Sequence, residues 1–344
     1  MSTSDPNPLP EIIPNPEQRP ESPTVVLPGE TALVVSVAEP LNTPHAREAP
    51  VWSGWDIVGL LVFGFAALIV ASLVVVMVAK ATPAYRGATL AELTTDPKLL
   101  VIATACGYVG VLGLMLALIR RHGLSFRAGI QWNWPRARWV WFLLLGSVLA
   151  VMIQLISSRL PMPKTLPIER MFRDATSAWL MALFGTLCAP FVEEFFFRGF
   201  LYPTLTRWSA LLGLAILDVL GGIAALLFAA FAHNYLAFWI GLWTVLAAGV
   251  IGTIWLFSFA SARVANALAV LVTAILFAFI HEQQLAAAWA PLLMVFIVGL
   301  VLTLVRARTR SVASSVLVHM AYNATLFTMV YFASDHFRHL EKLS

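Results

Sequence analysis

The feature that most restricts this chain is a succession of apolar runs, each about 20 residues long, between residues 57 and 332. An α-helix rises ~1.5 Å per residue, so about 20 residues suffice to cross a hydrocarbon core of ~30 Å. Nine such runs are predicted, at 57–79, 99–119, 139–156, 179–206, 211–232, 236–259, 265–281, 286–305 and 312–332. Helices are obligatory in lipid, because no water is there to bond an exposed backbone, and the runs have no period-two alternation of the kind a barrel needs. The expected fold is all-α, a polytopic transmembrane helix bundle of about nine spans.

Composition agrees with that solvent. Only 12% of residues are charged, against about 25% in a soluble domain. The net charge of +4 and the pI near 9.3 do not point to nucleic acid, because the arginines lie in short clusters between apolar runs. That pattern sets membrane orientation. Residues 120–138 hold Arg120, Arg121, Arg127, Arg136 and Arg138 and are placed in the cytoplasm. Arg306, Arg308 and Arg310 then fall on the same side, as does the N-terminus. Two loops oppose this assignment: one carries Lys80, Arg86 and Lys98, the other Arg159, Lys164, Arg170 and Arg173. The second is read as an amphipathic segment lying in the interface. Localisation is expected to be multi-pass integral, in the plasma (inner) membrane. Cys106 and Cys188 lie inside apolar runs without metal or redox spacing, and read as small buried hydrophobes. Residues 1–50, rich in proline and acidic groups, contain no signal-peptide core and are expected to be a disordered tail.

Ionisable groups inside spans are costly, so each is a functional candidate. In Pro190-Phe191-Val192-Glu193-Glu194-Phe195-Phe196-Phe197-Arg198, Glu194 and Arg198 are four apart and share a helix face. Glu193 projects about 100° away. One carboxylate is therefore neutralised while the other is free to serve as a base, unless the pair only pins the helix. His281 ends an apolar run on the same face as Phe277, a position an interfacial histidine also takes. His319 and Asn323 are four apart on the last run, where helix-to-helix hydrogen bonding is the alternative.

Taken in order, Glu193-Glu194 to Arg198, Phe277 to His281, and His319 to Asn323 resemble the E-E-x-x-x-R, F-x-x-x-H and H-x-x-x-N motifs of the CAAX prenyl protease and bacteriocin-processing family of intramembrane endopeptidases. The likeness runs over roughly residues 176–330, with Ala189-Pro190 before the glutamates and Arg198-Gly199-Phe200-Leu201-Tyr202 continuing after them. It implies that Glu193 activates a water, His281 assists in proton handling, His319 and Asn323 stabilise the oxyanion, and Glu194 and Arg198 support the site. It implies membrane-associated or CAAX-type protein substrates met within the lipid bilayer, with nucleic acid no partner. No cofactor is favoured, although two histidines and a glutamate are also zinc ligand types. The run His281-Glu282-Gln283-Gln284-Leu285 is not a zincin motif, since Leu285 stands where a second histidine belongs.

His281 lies 88 residues after Glu193, more than the family's single intervening helix needs, and two extra spans at 209–262 account for the excess. His233 competes for the second motif, but its phenylalanines are wrongly spaced and His281 stands one hairpin before His319. Asp218, inside the insertion, reads as a local polar partner. The domain plan is thus a 1–50 tail, N-terminal spans at 51–175, a catalytic membrane domain at 176–333 and a 334–344 tail. Hydropathy puts Glu193 in mid-span and His281 near a span end, so broken or tilted helices are expected to bring them level. The rival class is a transporter, scaffold or adaptor using the same polar groups structurally. No internal repeat of the kind transporters carry is present.

Overall fold

The structure, a computed structural model, describes residues 52–163, 166–206 and 262–338. All regular structure among the described residues is helical. We number the long helices α1 Gly54–Ala81, α2 Pro97–Arg121, α3 Trp139–Ser157, α4 Ala175–Thr206, α5 Ala262–Phe279, α6 Trp289–Thr309 and α7 Val312–Ala333. Among the described residues, six of them, all but α5, are long and apolar enough to cross a membrane, and α5 is a shorter apolar helix. Seven of the nine predicted runs are therefore helices. The runs at 211–232 and 236–259, with Asp218, His233 and the proposed insertion, lie outside the described residues, as does the tail at 1–50.

Helix starts follow local chemistry. Ser53 and Asp56 cap α1 reciprocally, and the Asp96 carboxylate accepts the N–H groups of Lys98 and Leu99 at the start of α2. Both arrangements satisfy amide donors that a first turn leaves without partners. Asp174 does the same for Thr176 and Ser177, so α4 begins before its predicted start. Burial pushes the Asp174 carboxyl up, but its bonds to Ser177 and the nearby Lys98 outweigh this and hold it below the usual value. The segment between α3 and α4, expected to be amphipathic, contains one short 3-10 turn, Pro167–Phe172, among its described residues.

Packing is pairwise: α1 against α2, α3 against α7, and α5 against α6. The α3–α7 pair is close because Gly146 has no side chain. A Cβ there would stand 2.8 Å from the Ala321 Cβ and 2.9 Å from the Tyr322 backbone nitrogen, and small residues are how membrane helices approach each other. By contrast α1 buries few residues and leaves Trp55, Phe63, Phe65 and Met77 exposed, as a helix apolar all round does when lipid covers it.

The interior of α4 is not regular. Two wide, π-type turns interrupt it, at Phe184–Cys188 and Phe195–Leu201, and each ends just before a proline. Proline lacks an N–H and its ring presses on the carbonyl four residues earlier. Near Pro190 the Ala189 N–H turns to the Phe184 carbonyl, so the Gly185 carbonyl has neither an i+4 nor an i+5 donor. Near Pro203 the Tyr202 N–H turns to Phe197, which strips the Arg198 carbonyl in the same way. An orphaned carbonyl in lipid must find another donor. Asn323 Nδ2 donates to Gly185 O at 2.6 Å, and Arg306 Nε donates to Arg198 O at 3.0 Å. Trp52 Nε1 reaches the next carbonyl, Gly199 O, at 3.2 Å while its ring stacks on Phe200. The breaks in α4 are thus sealed from α7, α6 and the start of α1.

Candidate active site

Two adjacent carboxylates sit between these breaks, and the 100° step of the helix sends them to different neighbours. Glu194 is fully buried. Its Oε1 accepts from Arg198 Nη1 at 2.8 Å and from His319 Nδ1 on α7 at 2.9 Å. Arg198, also fully buried, donates through Nη2 to Gly299 O on α6 at 2.9 Å, and its guanidinium lies 4.5 Å from the Phe277 ring centroid. The sequence expectation of a neutralised Glu194–Arg198 pair is met, and His319 joins it. Gly299 admits this approach, since a Cβ there would meet Phe277 Cδ1 at 2.9 Å.

Glu193 is half-buried and faces α2. The Tyr108 hydroxyl donates to its Oε1 at 3.1 Å, and among the described residues this is the hydrogen bond that holds it. No cation pairs with Glu193 among the described residues.

His281 lies just past the end of α5. Its backbone N–H bonds to Ala278 O in a tightened last turn, which leaves the Phe277 carbonyl open, and the His281 ring supplies the missing donor, Nδ1 standing 2.8 Å from Phe277 O. A carbonyl only accepts, so Nδ1 carries the proton and a neutral ring presents Nε2 as an acceptor. The Phe277 ring sits 4.9 Å from the His281 ring and 5.7 Å from the His319 ring. One phenylalanine thus lies beside both imidazoles. Asn323, one turn after His319 in the third motif, bonds to Gly185 in α4 rather than to a glutamate. Its amide nitrogen keeps one further N–H.

Two residues that sequence reasoning passed over shape the site. Tyr108 is a phenol inside a span, a polar tip that needs a partner in lipid. Arg306 was counted as an orientation charge. It is instead buried, holding Arg198 O and Gln131 Oε1, while Arg308 and Arg310 are exposed. Pro203 was the available signal, because it announces a carbonyl in need of a donor. As to metal, no group of three His, Cys, Asp or Glu side chains among the described residues is gathered as a metal ion requires.

The family described as Type II CAAX prenyl endopeptidase Rce1-like matches this chain over residues 175–264 and 254–325. No curated protein and no solved structure matches it. The matched stretches contain all six motif residues, and the match supports membership of the CAAX prenyl protease and bacteriocin-processing family of integral membrane endopeptidases.

Proposed function

We propose that this protein hydrolyses peptide bonds of membrane-associated, CAAX-type protein substrates by a Glu-activated water, without a metal. The observation that carries the reading is the division of labour between neighbouring carboxylates. Glu194 is bonded to Arg198 and His319, whereas Glu193 has, among the described residues, a lone hydroxyl donor and an oxygen, Oε2, left to take a proton. Glu193 removes a proton from water as the oxygen attacks the scissile carbonyl carbon, and that proton then passes to the leaving amine as the C–N bond breaks. His281, its Nδ1 proton committed to Phe277 O, accepts and returns a proton at Nε2.

The developing oxyanion falls to His319 and the remaining N–H of Asn323. With Nδ1 donating to Glu194, His319 donates from Nε2 only as an imidazolium. The catalytic domain on this reading is 176–333.

Detergent-purified protein should cleave a panel of fluorogenic membrane peptides that includes a farnesylated Cys-a-a-X peptide, and it should keep full activity after exhaustive chelation. Activity lost on chelation and restored by added zinc would overturn the metal-free mechanism. The arginine distribution further puts the N-terminus in the cytoplasm and, after nine spans, the C-terminus opposite. Reporter fusions at residue 130 and at the C-terminus should then report different sides of the membrane, and a common side would sink the span count.

A further inference from the structure

We propose that Tyr108 is a positioning residue for hydrolysis, fixing one oxygen of Glu193 so that the other faces the water; this rests on Glu193 being the base. Three observations point the same way. The Tyr108 hydroxyl is 3.1 Å from Glu193 Oε1, and a phenol beside a carboxylate donates to it. The ring is held independently of that bond by a tilted contact with Phe184, centroids 5.5 Å apart, and Phe184 begins the first wide turn of α4. Finally, Tyr108 belongs to α2, which lies outside the stretches matched by the family, so the N-terminal spans contribute to the site as well as to the bundle.

The geometry explains why a positioning group is needed. Glu194 is held by two charged or polar partners, but Glu193 has none on its own helix. An unrestrained glutamate has three rotatable bonds and samples orientations in which neither oxygen meets a water. A base displaced by about 1 Å loses about 10²-fold in rate. One hydroxyl on a rigid ring removes that freedom without neutralising the carboxylate, as a cation would.

The test is Tyr108→Phe, which keeps the ring and its contact with Phe184 and deletes only the donor. On a membrane peptide that the wild type cleaves, kcat should fall about 10- to 100-fold, with KM within twofold and the melting midpoint in detergent unchanged. Turnover within twofold of wild type overturns the proposal, and so does a fall in kcat that follows a matching loss of thermal stability. The parallel variant Glu193→Gln separates the two levels of inference. If it is inactive while Tyr108→Phe is normal, only the role of Tyr108 fails. If it is active, or if the wild type cleaves no peptide, both readings fail.

Discussion

Replacing Glu193 with glutamine is expected to lower peptide cleavage about 10²- to 10⁴-fold, the contribution of a positioned general base, while insertion and folding are retained. Glutamine has nearly the same volume and keeps an oxygen able to accept the Tyr108 hydroxyl, so the melting midpoint should stay within a few degrees. The proton-accepting function alone is lost. His319→Ala and Asn323→Ala should each cost about 10²- to 10³-fold in rate, the scale for removing an oxyanion donor, and the two should differ in stability. Asn323 also caps the Gly185 carbonyl orphaned by Pro190, so its loss carries an additional penalty of about 1–3 kcal/mol for an unbonded acceptor. Near-normal turnover of Glu193→Gln would remove the general-base assignment and favour a transporter or scaffold built on the same polar groups.

Arg198→Ala should be the most damaging change to the fold. It strands the fully buried Glu194 carboxylate with His319 as its remaining partner and removes the donor to Gly299 O. Breaking a buried pair by deleting one member costs about 3–5 kcal/mol, whereas replacing both members with neutral groups of similar volume is close to neutral. Thermal unfolding in detergent should therefore show a large loss for Arg198→Ala and a substantial recovery in the double variant Glu194→Gln, Arg198→Met. The double variant should still be inactive, because His319 loses the carboxylate that its Nδ1 bonds to and that orients its ring. An Arg198→Ala protein as stable as wild type would mean that the pair is solvated and carries no structural weight.

These expectations rest on features of unequal visibility in the sequence. Apolar length alone decided that the described chain is a bundle of apolar helices, six of them long enough to cross a membrane, because lipid leaves the backbone no other way to satisfy its hydrogen bonds. Spacing of four decided that Glu194 meets Arg198, that Phe277 and His281 share a face, and that His319 and Asn323 share another, since those relations are properties of one helix. Pro190 and Pro203 were visible too, and each fixes that carbonyls in α4 go without donors.

Which groups come to those carbonyls was decided only by tertiary packing. Asn323, Arg306 and Trp52 arrive from three different helices or their ends, separated from α4 by 100 residues or more, and no local pattern encodes such a meeting. The same holds for His319 against Glu194 and for Tyr108 against Glu193. Intrahelical spacing fixes directions around one axis, but the partner found in a given direction depends on how neighbouring axes are set. Here that setting follows from close approaches such as Gly146 on α7 and Gly299 on Phe277, which draw α7 and α6 inward until one charged cluster closes on Glu194 and leaves Glu193 outside it.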